Sequence, residues 1–205
     1  LNDILQNAVA GVSIGATYGL IGLGVVFLWQ SINRINFANI SSAMLSVYLF
    51  FAFNTLAGLP YIPSFIASIA LVAVYGLFLR YLIYEPITRK GGGRLEFVVA
   101  TLMLCVFWLS VINAVFGGLP KPFPPVFGDP SHLVHFGGLS LPGVYLWIFL
   151  VVVILIGFLH FLLRKTLIGK KLRATAQNKE AAELMGINVN LTTSLAFVLA
   201  TTPFT

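Results

Sequence analysis

Charged residues are scarce in this sequence. Of its 205 residues, only 9% are Asp, Glu, Lys or Arg, and the mean hydropathy is +0.97. A water-soluble domain carries about 25% charged residues, so this chain lacks the side chains needed to cover a surface in water. A soluble globular domain is therefore excluded. The long apolar stretches instead predict an all-α fold, a polytopic transmembrane helix bundle.

Residues that carry catalysis or hold metals are scarce as well. The single cysteine, Cys105, lies in an apolar stretch, so an intramolecular disulfide is excluded and a small apolar packing role is expected. His132 and His135 have no cysteine or nearby acidic partner, which argues against a metal site. The sequence contains no phosphate-binding GxxxxGK[ST] loop and no HExxH pair. We expect no bound cofactor, no metal and no enzyme activity from this chain.

Apolar stretches dominate what is present. About 20 apolar residues suffice for a spanning helix, and five stretches reach that length, at residues 8–29, 35–56, 61–83, 97–116 and 144–163. A sixth begins near Leu191 and is incomplete at Thr205, so residues 1–205 predict one membrane domain of five complete spans and a partial sixth. Residues 117–143 contain six prolines, which exclude a regular helix over most of them and predict an extracytoplasmic loop capping the bundle.

Basic residues lie between the spans, at Arg34, at residues 80–94 and at residues 164–179. Basic loops tend to stay in the cytoplasm, and an even number of spans separates the three groups. They therefore agree on one orientation, with the amino terminus outside. Because the net charge of +6 is distributed in this way rather than along one soluble face, nucleic-acid binding is disfavoured.

The first span carries Gly11, Gly15 and Gly19 at intervals of four residues. Small residues at this interval let helix backbones approach closely in lipid, which predicts packing within the bundle. Ser13 and Thr17 on the same span are candidates for polar contacts along a translocation path.

The stretch "RINFANISSAM", residues 34–44, places Asn36, Asn39 and Ser42 at i, i+3 and i+6 in an apolar setting. Polar groups inside a membrane cost free energy unless they are paired or hydrated. Two interpretations stay open. The three side chains line a polar translocation path, or they make hydrogen bonds between helices without touching substrate.

Residues 169–188, "GKKLRATAQNKEAAELMGIN", form a polar segment in this apolar chain. Asn178 is a good N-cap and Gly186 a good C′ residue for a short helix at 179–185. Its predicted apolar face comprises Ala181, Ala182 and Met185. A helix lying on lipid would favour bulky apolar residues, whereas alanines favour close packing against a protein. The segment therefore predicts a docking element for a cytoplasmic partner.

Three motifs carry a family resemblance. The segment "GKKLRATAQNKEAAELMGINVN", followed by "LAF", resembles the cytoplasmic loop of the permeases of high-affinity branched-chain amino acid ABC importers. "INFAN" and "LIYEPITRKGG" resemble elements of the LivH branch and occur in the family's order. The chain has Asn39 and Ile40 where the family's element has His and Gly. It also stops at Thr205 where the family continues, so we expect a fragment or a truncated permease.

The resemblance implies a bacterial inner-membrane permease that pairs with a second, LivM-type permease. Two cytoplasmic ATPases would drive it by alternating access, and an external binding protein would deliver a branched-chain amino acid. Residues 169–188 would be the coupling segment. Its implied contacts are Gly169, Lys171, Leu172, Arg173, Ala174, Ala176, Asn178, Ala181, Ala182, Met185, Gly186 and Ile187. A urea or short-chain amide permease of the same family, or a non-transporting scaffold, stays an alternative.

Overall fold

The structure, a computed structural model, describes residues 2–118, 133–136 and 139–202. Its helices in chain order are α1 (Asn2–Ile32), α2 (Ala38–Phe51), α3 (Tyr61–Phe78), α4 (Glu85–Arg89), α5 (Arg94–Phe116), α6 (Gly143–Lys165), α7 (Leu167–Gln177), α8 (Lys179–Leu184) and α9 (Val189–Thr201). Two π-helical turns extend them, π1 (Ala52–Leu56) after α2 and π2 (Leu79–Tyr84) between α3 and α4. The predicted all-α bundle is confirmed.

Five helices in the described ranges are long and apolar enough to cross a membrane, as the sequence predicts. They comprise α1, α2 with π1, α3 continuing through α4, α5, and α6. The second begins at Ala38 rather than at residue 35, because the chain turns through Asn33, whose φ is +56°. The sixth stretch forms α9, whose 13 residues are fewer than a span requires.

Helix α9 lies at the centre of the bundle, against α1, α2, α3 and α7. Its contact with α3 is very close at Gly76, where an added Cβ would lie 2.7 Å from Oγ1 of Thr201 and 3.0 Å from the carbonyl oxygen of Phe197. Phe197 is fully buried in a core that includes Leu28, Phe97 and Leu172. The short ninth helix therefore organises the packing of the longer ones.

The loop at 117–143 is described in part. Strand β1 (Leu133–Phe136) pairs antiparallel with β2 (Leu139–Pro142), with Leu133 opposite Pro142, and β2 lies against α1 and α6. The sequence analysis did not predict this hairpin. Residues 119–132 and 137–138, the rest of the predicted cap, lie outside the described residues, and so does His132.

The glycine stripe of α1 points away from the rest of the described chain. Gly11, Gly15 and Gly19 are exposed, and a Cβ added at any of them would meet no atom within 4 Å. The prediction that they pack within the bundle is therefore wrong for the described residues. The inward side of α1 instead carries larger buried side chains, Phe27 and Leu28 among them. Glycines at this spacing permit close packing of another helix against α1, but the spacing does not decide which face of α1 points into the bundle.

Candidate coupling surface at the basic end of the bundle

Most of the charged side chains meet at one end of the bundle, which we call the basic end and define by Arg34, Arg94, Arg164, Arg173 and Lys179. The guanidinium of Arg34 donates to the carbonyl oxygens of Gly93 (2.6 Å) and Gly92 (3.1 Å), so the end of α1 is tied to the start of α5. Arg173 of α7 donates to the carbonyl oxygen of Leu163 near the end of α6. The prediction that the basic groups share one side of the bundle is confirmed.

Residues 169–188 fold as parts of two helices, α7 and α8, rather than as the single helix predicted at 179–185. Helix α7 begins just before this segment, at Leu167. Thr166 begins α7 by accepting a hydrogen bond from the amide of Gly169 at 3.1 Å. Asn178 begins α8 by accepting from the amide of Ala181 at 3.0 Å, and Gly186, with φ +78°, follows the last turn. The Asn178 cap was predicted, whereas α7 was missed. Thr166 is a favourable N-cap residue that could have indicated it.

One side of this segment faces the bundle. A Cβ added to Gly169 would collide with the backbone carbonyls of Leu162 and Leu163. Leu172 is fully buried, and Ala182 is only 4% exposed. These three residues were predicted to contact a partner, and this is corrected here. Because all three are buried against the chain's own helices, they position the segment rather than present an exposed contact surface.

The other side of α8 carries apolar side chains that are exposed in the described chain. Leu184 is 89% exposed and Met185 is 83% exposed, with Ala181 exposed beside them. We call these three residues the outward face of α8. The sequence analysis included Ala181 and Met185 but missed Leu184, which follows Ala181 by one helical turn. The remaining predicted coupling residues divide into exposed Lys171, Asn178 and Gly186, and half-buried Arg173, Ala174, Ala176 and Ile187.

Helix α8 is attached through one tyrosine to π2, α5 and α9. Nζ of Lys179 donates to the hydroxyl of Tyr84 at 2.7 Å and lies 5.0 Å from the ring centroid. The ring of Tyr84 packs against Phe97 of α5 and Phe197 of α9, with centroids 5.7 and 5.4 Å apart. Lys179 thus contacts the core of the bundle at a point where π2, α5 and α9 meet.

A buried arginine makes a second link. Arg80 in π2 is 2% exposed, and its guanidinium donates to Oδ1 of Asn190 in α9 at 3.0 Å. It also lies 3.5 Å from the carboxylate of Glu85 and stacks over Tyr81 at 4.3 Å. Arg80 was grouped from the sequence with the basic residues between the spans, and its burial was not predicted. A buried charge persists only when it is paired, and Arg within "FLRYLIYE" was a sign of such pairing that sequence reasoning missed.

The polar residues at the start of α2 are buried and hydrogen-bonded within the described chain. Asn36 and Asn39 are fully buried, and the Asn36 amide donates to Oδ1 of Asn39 at 3.2 Å. Asn39 in turn donates to the carbonyl oxygen of Ala200 at 3.4 Å, and the Ser42 hydroxyl donates to the carbonyl oxygen of Asn39 at 2.7 Å. Of these bonds, the one from Asn39 to Ala200 joins two helices, and a translocation path lined by these residues stays a prediction.

The other predicted path residues lie elsewhere. The hydroxyl of Ser13 donates to the carbonyl oxygens of Val9 (3.0 Å) and Tyr145 (3.5 Å), facing α6, and Thr17 donates to the carbonyl of Ser13 at 3.2 Å. The structure thus does not bring the five predicted residues together into one polar path. Ser13 joins α1 to α6 and Asn39 joins α2 to α9, whereas Thr17, Asn36 and Ser42 make hydrogen bonds within their own segments.

The bundle of apolar spans and the helical segment at its basic end define the class, a multi-pass integral membrane protein. Within that class, the chain belongs to the family described as "Branched-chain amino acid transport system / permease component", which matches residues 7–202. This is the family that the three motifs of the sequence resemble.

Three relatives illustrate the similarity. The chain is 31% identical to the high-affinity branched-chain amino acid transport system permease protein BraD of Pseudomonas aeruginosa, over 95% of this chain and 66% of that protein. It is 24% identical to LivH of Escherichia coli K12 over the same shares. A probable LivH of Methanocaldococcus jannaschii is 30% identical, over 88% of this chain and 58% of that protein. The chain thus spans about two thirds of the first relatives' length. No solved structure matches it.

Proposed function

We propose that this chain is a permease subunit of an ATP-driven importer for branched-chain amino acids. The relatives BraD and LivH bear that substrate in their names, and the family match covers nearly all of the chain. The protein would lie in the bacterial cytoplasmic membrane with its amino terminus outside and its basic end in the cytoplasm, since basic loops are retained there. A second permease and an external substrate-binding protein would complete the transport path.

The ATPase subunits would bind the outward face of α8, and the exposure of Leu184 and Met185 is the observation that carries this assignment. Large apolar side chains grouped on a surface in water mark protein interaction sites. The apolar core of such an interface supplies most of its binding energy. The face lies outside the five spanning helices, so a soluble partner reaches it without entering the membrane.

Motion would enter the bundle through the two links already described. Lys179 holds α8 to Tyr84, and Arg80 holds the end of α3 to Asn190 at the start of α9. A partner shifts a conformational equilibrium only if it binds the two states with different affinity. An ATPase that moves on nucleotide binding would meet that condition by displacing α8, and the helices α3, α5 and α9 would follow in an alternating-access cycle.

Co-purification tests the docking surface. The full chain, produced together with two ATPase subunits of a branched-chain amino acid importer, is compared with a Leu184→Glu, Met185→Glu double variant. Burying two carboxylates at an apolar interface is costly, so the variant should retain at least about tenfold less ATPase, a loss of roughly 1.4 kcal/mol.

Leu95→Glu is the matched control, because Leu95 is 73% exposed at the start of α5 near the same end of the bundle. It should retain ATPase normally. Equal loss in both variants, or no retention by the unchanged chain, would overturn the assignment of α8 as the docking surface.

Uptake by the reconstituted complex tests the substrate. Vesicles containing both permeases and both ATPases should accumulate labelled leucine when ATP and the binding protein are supplied, and excess isoleucine or valine should compete. Accumulation of urea, with no effect of leucine, would instead assign the complex to urea or amide import.

A further inference from the structure

A cavity of about 500 Å³ lies between α1 and α6 at the basic end, away from the outward face of α8. Its upper wall is apolar and consists of Leu23, Val26, Phe27, Ile156, Leu159 and Leu163. Its lower rim carries Gln30, His160, Arg164 and Arg173. The volume lies within the 300–1,000 Å³ range typical of small-molecule sites. Nothing in the proposed transport function uses this cavity.

The rim of the cavity is basic and not neutralised. No carboxylate is among the residues that line it. The two ion pairs within the described part of the chain both use Glu85, so neither Arg164 nor Arg173 takes part in one. Arg173 donates to the carbonyl of Leu163, but a guanidinium carries five N–H donors, and the others stay available. The rim therefore favours an anion with several acceptor oxygens.

The wall of the cavity is formed by α1 and α6, both long and apolar enough to cross a membrane, and the cavity is open at the outside of the described bundle. Val26 and Ile156, on opposite sides, are 40% and 43% exposed. Trp29, which is half-exposed, lines an adjoining cavity that shares Gln30 and Arg173 with the first. Tryptophan is enriched at the level of lipid headgroups. The cavity thus joins an apolar groove facing the acyl chains to a cationic rim at headgroup depth.

We propose that this cavity binds an anionic phospholipid. The phosphate would lie between Arg164 and Arg173, and the first part of one acyl chain would follow the apolar wall between α1 and α6. Basic pockets between spanning helices on the cytoplasmic side bind anionic headgroups in this way. Free phosphate would use the rim but would gain nothing from the six apolar side chains above it, so the combination of both favours a lipid.

The position of the cavity gives such a lipid a structural role. Arg173 belongs to α7, and Arg164 belongs to the last turn of α6. A phosphate bound by both would join the coupling segment to the span that precedes it. The bound lipid would therefore stabilise the attachment of α7 to the bundle.

Lipid retention measured by native mass spectrometry tests the proposal. The full chain is equilibrated with equal amounts of phosphatidylglycerol and phosphatidylcholine in detergent micelles, and the ratio of bound lipids is read directly. The unchanged chain should retain phosphatidylglycerol at least about fivefold better, the preference expected for one basic residue at an anionic headgroup. Arg164→Gln should lower that preference about fivefold, the contribution of one of the two arginines.

Two further variants separate a built site from general surface charge. Lys165→Gln removes the same charge at the next position of α6, and Lys165 does not line the cavity, so the preference should stay within about twofold of the unchanged chain, less than the effect of one headgroup contact. Val26→Trp fills the apolar wall without changing charge and should lower retention of both lipids.

Three outcomes would overturn the proposal. One is equal loss of preference in Arg164→Gln and Lys165→Gln, which would show a diffuse surface effect. Another is displacement of the bound phosphatidylglycerol by inorganic phosphate at millimolar concentration, which would assign the rim to a free anion. The third is an unchanged chain that retains both lipids equally.

Discussion

The outer face of α1 and the contact between α3 and α9 differ in a way that the sequence conceals. Gly15 lies in a regular stripe of small residues, yet a Cβ added there would meet no atom within 4 Å. Gly76 belongs to no stripe, yet a Cβ there would lie 2.7 Å from the hydroxyl oxygen of Thr201. Small residues permit close approach, but only the tertiary arrangement decides where helices use that permission.

The largest effect is expected at the closed contact. Gly76→Leu places a side chain against the carbonyl of Phe197, whose backbone cannot rotate away, so α9 must shift. Overpacking of this kind costs about 3 kcal/mol, and the midpoint of thermal unfolding in detergent should fall markedly. A midpoint within the error of the unchanged chain would mean that α9 is not packed closely against α3 at Gly76.

Asn39 makes a buried polar contact with α9, the helix that packs against Gly76. Its amide donates to the carbonyl oxygen of Ala200 in the last turn of α9, and its Oδ1 accepts from the buried amide of Asn36. Asn39→Ala removes both bonds and leaves the Asn36 amide buried without this acceptor, at a cost of about 2 kcal/mol in stability.

The matched control for Asn39 is Asn54→Ala. Asn54 donates to the carbonyl oxygen of Leu59 at 3.1 Å in an exposed setting, where water replaces the lost bond. The thermal midpoint of the control should stay within about the range of an ordinary surface substitution, 0.5 kcal/mol. A cost as large as that of Asn39→Ala would show that burial is not what makes Asn39 important.

These contacts also show what sequence reasoning can reach. The spans were predictable, because a long apolar stretch in lipid has few alternatives to a helix. Asn178 and Gly186 were predictable because capping depends on neighbouring residues alone. The pairing of Arg80 with Asn190 was not, since 110 positions separate them. Local periodicity could not assign the two faces of α8 either, and so Ala182 was placed outward and Leu184 was overlooked.

Lys179 is half-buried, so we expect its substitution to have an effect on stability between those of the buried and the exposed positions. Lys179→Met removes the hydrogen bond to Tyr84 and keeps the apolar stem, so we expect a loss of about 1 kcal/mol. Lys170→Met, at an exposed position of α7, should change the midpoint little. The coupling role adds a second readout: in the reconstituted complex, Lys179→Met should lower transport per ATP hydrolysed, whereas the control should not.

The smallest effect is expected on the open face. Gly15→Leu adds a large side chain where the described chain leaves space, and leucine favours a helix over glycine by up to about 1 kcal/mol. The thermal midpoint of the isolated chain should therefore be unchanged or slightly raised, the reverse of Gly76→Leu with the same pair of residue types. A midpoint lowered as far as in Gly76→Leu would show that another part of the chain covers α1. Alternatively, the variant could keep its midpoint but no longer assemble with a second permease. That result would assign the glycine face of α1 to the contact between subunits, where small residues permit close packing of two helices.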